Sequence, residues 1–321
     1  MSRAKVEKAE TSSQMSVNRQ AVIGIFLMVS GTVCFASKSI FIKWAYELGA
    51  TPEAALWFRQ FFATPLFFII FMMYRSKLPV KPQKGEIVKA CLAGLLCFFL
   101  SPLFDFTGLH YVSAIVERIL IMSYPIFVLI ISAFSRKQMI SILDLTVILV
   151  VNAGLFLAIG GWDTSLLNAN ILGATLILLS SITYAMYLFL SGRLVKKIGG
   201  IRMNLYGMLT ASLAMVIYLG IKQASLESVN LLSFRPSVYG VFFIIAVVAT
   251  VIPFILMLEG IKRIGAERGA MISMSGPVLT IVFGAFFLGE HLSMIQWAGC
   301  LLVLITISIV EWKKVKTLNV K

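Results

Sequence analysis

Five ionisable side chains sit inside long apolar runs of this chain: Lys38, Arg59, Asp105 and the neighbours Glu117 and Arg118. The stretch AIVERILIMSYPIFVLI, residues 114–130, poses the problem most sharply, with an acid and a base side by side and Pro125 soon after in an oily segment. A charge near the centre of a bilayer costs about 2.5–3.5 kcal/mol on insertion scales, so such residues face the protein interior, find partners or reach water. The chemistry open to them is recognition of a charged solute, proton transfer, or pinning helices together. Covalent catalysis has little to build on. The only histidines are His110 and His291, and Cys34, Cys91, Cys97 and Cys300 lie scattered in apolar runs without ligand spacing. Neither a metal site nor a nucleophile–base pair is expected, and no cofactor. Glu117 and Arg118 would project about 100° apart on a helix, which makes a poor acid–base dyad. The chain is therefore read as a non-enzyme.

The elements that position these residues follow from composition. Apolar residues make up 59% of the 321 residues and charged ones 13%, too few charges to cover a soluble surface of this size. Ten apolar stretches of helix-spanning length are predicted, at 21–45, 53–74, 88–108, 112–134, 142–160, 168–192, 203–222, 237–258, 267–289 and 292–311. They are too long and continuous for barrel strands, so the fold class is an all-α integral membrane protein. Residues 1–20 read as a disordered polar tail without a signal peptide, 161–167 as an external linker and 313–321 as a basic tail. The net charge of +14 is spread over short loops between spans, which is not a nucleic-acid pattern. With the amino end inside, 22 of the 28 basic residues fall in inner segments and only Lys222 and Arg235 in outer loops. That asymmetry predicts both termini cytoplasmic in a multi-pass protein of a bacterial inner or plasma membrane.

The chain also repeats itself. GLHYVSAIVERILIMSYP from Gly108 aligns with GIKRIGAERGAMISMSGP from Gly260 at a shift of 152, matching Ala114 with Ala266, Met122 with Met274, Ser123 with Ser275 and Pro125 with Pro277. Both segments fall between the third and fourth span of a half. An odd number of spans per half makes the halves enter the membrane in opposite senses. The prediction is two inverted five-helix repeats, 21–160 and 168–312, a transporter architecture whose site lies near the midplane.

Counting residues at 1.5 Å each puts Lys38, Glu117 and Arg118 about 7–9 Å to the outer side of the midplane, with Arg59 and Asp105 in the same half-depth. The matching spans of the second repeat carry no mid-depth charge. The expectation is one polar network facing an outward vestibule and binding substrate or a proton; a buried network that only holds helices together is the competing reading, and Arg59 could instead reach the headgroups. Pro125 and Pro277 free the carbonyls of Ile121 and Ser273, which predicts paired bends. Gly265, Gly269, Ser273 and Pro277 recur every four residues and are expected to form a close helix-packing seam.

The segments ALWFRQFFATPLFF, around Arg59, and FGAFFLGEHLSMIQWAGCLLVLITISI, with its Gly289–Glu290 turn, resemble the two EamA-type repeats of the drug/metabolite transporter superfamily. The resemblance spans about residues 21 to 312. It departs where the first repeat has Arg136, Lys137 and Gln138 in place of Leu288, Gly289 and Glu290. It implies a ten-helix alternating-access carrier whose cavity is lined by Lys38, Asp105, Glu117 and Arg118, with Tyr124, Tyr184, Tyr187, Ser273, Met274 and Ser275. The function expected is secondary transport of a small polar organic metabolite, amino-acid-like or anionic or zwitterionic. Proton coupling and facilitated exchange are equally compatible, and a monomer is expected. A membrane-embedded lipid translocator or lipid-acting enzyme is the alternative.

Overall fold

The structure is a computed structural model that describes residues 3–77, 82–136, 142–158, 160–224, 231, 233–264, 272 and 275–318. Among the described residues there is no strand. Seven helical stretches are long and apolar enough to cross a membrane, and Leu149–Ala158, Gly276–Phe287 and Met294–Thr306 are shorter apolar ones. Together they follow the ten predicted spans in order.

The first span is α1 (Arg3–Ala36) and α2 (Lys38–Glu47), separated at Ser37. The expected irregular tail is instead helical from Arg3, continuous with the first span; once the buried part is formed, each further turn adds hydrogen bonds without a new nucleation cost. The second span, α3 (Pro52–Tyr74), starts where Thr51 caps the Ala54 N–H and Pro52 supplies a preset first turn. The third combines α4 (Lys84–Gly94), a wide π turn over Leu95–Leu100, and α5 (Ser101–Tyr111). The fourth is two pieces, α6 (Ala114–Ile121), capped by Ser113, and α7 (Tyr124–Arg136). The fifth is α8 (Ile142–Ala158).

In the second repeat, α9 (Thr164–Ile198) and α10 (Gly200–Ala224) are unbroken. The eighth span is α11 (Pro236–Ala246), a second π turn over Val247–Val251, and α12 (Ile252–Ile264). The ninth includes α13 (Gly276–Phe287), and the tenth is α14 (Met294–Leu318). Because α9 begins at Thr164, the link between repeats is shorter than the expected 161–167.

The packing is two-fold in pattern. The first span packs on the eighth and the third on the sixth, while the fifth pairs with the tenth and the second with the seventh. Glycines make these approaches close. A Cβ on Gly108 would lie 2.9 Å from the Gly173 carbonyl, and one on Gly260 3.1 Å from the Gly24 carbonyl. One on Gly94 would overlap the Gly207 Cα, so α4 and α10 touch backbone to backbone. With little hydrophobic drive between helices in lipid, such contact is a main source of association.

The connections after the odd-numbered spans share one end of the bundle, here the odd-loop end. There Ile42, Ala45, Ala54, Leu56, Phe58, Leu109, Ala114, Met215, Val238, Val241 and Phe242 form one buried cluster drawn from both repeats. Phe58 stacks on Phe242 at 5.0 Å and meets Tyr239 edge-on at 5.2 Å.

Candidate functional site

Beneath that cluster, Lys38 leaves the interruption at Ser37 and meets two carboxylates. Its Nζ lies 2.5 Å from Asp105 Oδ2 and 3.3 Å from Glu117 Oε1. Ser39 donates its hydroxyl to Glu117 Oε2 at 2.5 Å. The three charges come from the first, third and fourth spans, and the two acids are sealed: Glu117 is 0% exposed and Asp105 3%, while the Lys38 side chain keeps 12%. In so dry a place a charge persists only with partners, and here one ammonium serves two carboxylates. A proton or a solute cation could compete with Lys38 for either acid. The outward vestibule expected over these residues is not open in this conformation, because the apolar cluster of both repeats covers them.

The two arginines go elsewhere, so the five charges do not form one network. Arg118 donates through Nε to Thr280 Oγ1 at 2.9 Å and through Nη2 to the Phe35 carbonyl at 3.3 Å. Thr280 in turn donates to the Ala36 carbonyl at 3.1 Å. Arg118 therefore ties the fourth and ninth spans to the carbonyls just before the break in the first. Arg59 donates to the Phe98 carbonyl at 3.1 Å, and its guanidinium lies 5.4 Å from the Phe106 ring centre. Gln60 donates to the same Phe98 carbonyl at 2.7 Å. That carbonyl is free for a local reason: Pro102, four residues on, has no N–H to offer it.

Pro125 breaks its span rather than bending it, and Pro277 stands at the start of a helix. Pro125 is the second residue of α7 and Pro277 the second of α13, each just after a turn, where a missing N–H costs nothing. The break in the fourth span is held by the protein: Ser181 from α9 donates to the Ile121 carbonyl at 2.8 Å, filling the bond that Pro125 removes. Ser123 donates to the Leu120 carbonyl at 2.7 Å. Tyr124, Tyr184 and Tyr187 form an aromatic cluster, with ring centres 5.2 and 5.6 Å apart in sequence. Ser275 is exposed and donates to the Ile272 carbonyl at 2.7 Å. Gly265, Gly269, Ser273 and Met274 lie outside the described residues.

Glu290 adds a contact between repeats. Its carboxylate accepts from the Ala114 N–H at 2.6 Å and the Ile115 N–H at 3.0 Å, the first two amides of α6. An acid at a helix N-terminus satisfies unpaired donors and complements the helix dipole. Glu53 and Lys222, 2.8 Å apart, join the second and seventh spans at the same odd-loop end.

Sequence reasoning missed Ser39, Gln60 and Thr280, and did not assign Glu290 a partner. Gln60 had one usable signal, an amide beside Arg59 in an apolar span; Ser39 and Thr280 had none beyond being polar. Among the described residues, no group of His, Cys, Asp or Glu could hold a metal ion.

Comparison with known proteins bears on this arrangement. The sequence pattern described as the EamA-like transporter family matches residues 22–160 and again 171–312. The chain is 56% identical to the "Uncharacterized transporter YcbK" of Bacillus subtilis (strain 168), over 97% of this chain and 98% of that protein. It is 25% identical to an "Uncharacterized transporter" of Archaeoglobus fulgidus, over 64% of this chain and 71% of the other. A solved structure titled "Crystal structure of protein" superposes with a TM-score of 0.54 at 14% identity, covering 91% of this chain and 97% of that one, which is a likeness of fold.

Proposed function

The chain belongs to the EamA-like transporter family, and from that premise we propose that it is a secondary transporter moving a small polar organic metabolite by alternating access. The substrate is amino-acid-like or otherwise anionic or zwitterionic. The observation that carries this reading is the Lys38–Asp105–Glu117 cluster, two buried carboxylates and the lysine between them from three spans, beside the broken first and fourth helices. Half-helix ends and intramembrane charges are where carriers of inverted-repeat design hold their solutes.

With both termini cytoplasmic in a bacterial inner or plasma membrane, the odd-loop end faces outward and the conformation is closed to the outside. Opening there separates the repeats, so Glu290 must release α6, Glu53 must release Lys222, and Phe58 must leave Phe242. The cluster then becomes wet. Asp105 or Glu117, relieved of Lys38, could take a proton for coupling; exchange without protons uses the same movement. The working unit is a monomer, since each repeat supplies half of the closure.

Counterflow in proteoliposomes tests this. Vesicles loaded with a bacterial metabolite extract should take up labelled members of that extract against their gradient, and Glu117→Gln should abolish uptake while the protein remains monodisperse. Uptake at the wild-type rate in Glu117→Gln would sink the site; ion-channel currents without counterflow would sink the carrier.

A further inference from the structure

Arg118 directs its Nε–H to Thr280 and its Nη2 to the Phe35 carbonyl, and none of its buried nitrogens is left without a partner. Arg59 is different. It is 7% exposed, and among the described residues it has no carboxylate in ion-pair reach. Its Nη2 is held by the Phe98 carbonyl, but its Nε–H is buried without any acceptor. Gln60, 1% exposed, is fixed by the same carbonyl through its amide nitrogen, and its Oε1 is buried without any donor. An unpaired buried cation and an unpaired buried acceptor on adjacent residues are each costly. Both are also rigidly placed: the wide turn at Leu95–Leu100 and Pro102 create the carbonyl that holds them, and the Phe106 ring braces the guanidinium.

We propose that Arg59 and Gln60 form the carboxylate subsite of the transporter, taking a small organic acid that carries an N–H or O–H donor on the carbon next to its carboxylate. The carboxylate neutralises Arg59 and accepts the Nε–H, a planar charge-assisted contact that arginine makes better than lysine. The neighbouring amino or hydroxyl group donates to Gln60 Oε1. This deepens the proposed function and rests on it for the meaning of the site, not for its chemistry. A buried arginine that only braces α3 against the wide turn would need no anion and would leave Gln60 Oε1 idle.

The probes are sodium lactate, glycine, acetate, propylamine, inorganic phosphate and sodium chloride, at matched ionic strength, on purified full-length protein followed by thermal unfolding. Lactate and glycine should raise the unfolding temperature above the chloride control, acetate less, propylamine and phosphate not at all. Arg59→Gln should weaken the lactate or glycine response about 10- to 100-fold, and Arg59→Lys should not restore it. Gln60→Glu supplies the missing counter-ion itself. It should unfold at a higher temperature than wild type without ligand and lose the carboxylate response, a result that a misfolded variant cannot imitate. A carboxylate response that survives in Arg59→Gln, a response to phosphate equal to that of lactate, or no response to any carboxylate overturns the subsite. Counterflow separates the two ideas: transport that persists in Gln60→Glu defeats the subsite and leaves the carrier, whereas a carboxylate response without counterflow defeats the carrier and leaves the subsite.

Discussion

In the first half, Pro102 follows a wide turn over Leu95–Leu100; in the second, Pro253 follows one over Val247–Val251. In the first, α7 begins beside Pro125; in the second, α13 begins beside Pro277. Gly108 presses on α9 as Gly260 presses on α1. The backbone devices are thus duplicated. The charges are not: the carbonyl freed in the first half holds Arg59 and Gln60, and Lys38, Asp105 and Glu117 all lie in the same half. Duplication copies what helix geometry requires of both halves, while a solute needs one binding site near the axis, so side-chain chemistry is free to concentrate on one side.

The contrast breaks first at Lys38. Lys38→Met strands two buried carboxylates, and removing one partner from a buried ion pair costs about 3–5 kcal/mol. The variant should unfold at much lower denaturant than wild type. Adding Asp105→Asn should recover part of the loss, because one of the stranded charges is gone; a double variant whose loss equals the sum of the losses of Lys38→Met and Asp105→Asn alone would mean that the two groups are uncoupled. No single substitution at a polar residue of the second half should cost as much.

Glycines sharpen the other side of the comparison. Gly108→Ala and Gly260→Ala each force a Cβ into occupied space, 2.7 Å from Ile177 Cγ1 and 2.6 Å from Met28 Cγ. Overpacking of this kind costs about 1–3 kcal/mol. The unbranched Met28 can yield more easily than Ile177, so Gly108→Ala should be somewhat the worse of two similar effects, read from unfolding midpoints in one detergent. Gly94 departs from the pattern, since the shift of 152 places Ala246 opposite it. Gly94→Ala meets the Gly207 backbone, which cannot yield as a side chain can, and should exceed both.

Much of this arrangement was legible before any coordinates. Ten apolar runs foretold the order of the helices, because a bilayer demands long spans. Helix ends fell near their predicted places wherever a cap or proline marked them, as at Thr51–Pro52 and Ser113. The wide turns were not legible, since an inserted residue leaves an apolar run apolar; Pro102 and Pro253 were their only trace. Lys38, Asp105 and Glu117 could be placed at one depth by counting, but depth does not say which helix face a side chain takes. Arg59 and Arg118, counted into the same layer, turned to backbone carbonyls that exist only because helices are interrupted. Glu290 was visible in its turn, yet its partners lie 175 and 176 residues away.

A smaller effect tests whether the break in the fourth span is held or loose. Ser181→Ala removes the donor to the Ile121 carbonyl, which Pro125 cannot serve, while the Leu120 carbonyl keeps the Ser123 N–H and hydroxyl. The expected loss is about 1–2 kcal/mol of stability. Hydrogen exchange localised to α6 and α7 should rise, while α13, the equivalent piece of the second half, keeps its protection.

The smallest effect falls on the contact that joins the halves. Glu290→Gln keeps an oxygen for one of the two α6 amides and loses the charge that faces the helix dipole, a change of about 0.5–1 kcal/mol. That is too little to unfold the bundle but enough to shift two conformations separated by a similar gap, by roughly 2- to 5-fold. Ile42 sits fully buried in the cluster that closes the odd-loop end, so Ile42→Cys, in a chain whose native cysteines are replaced, reports when that end opens. An impermeant maleimide added outside intact cells should label it several-fold faster in the Glu290→Gln background. The same cysteine in the Glu259→Gln background, changed at the opposite end, should label no faster than the reference. If Glu290→Gln leaves labelling unchanged, the cap on α6 belongs to the static packing of both conformations, and the halves must be held closed by the apolar cluster alone.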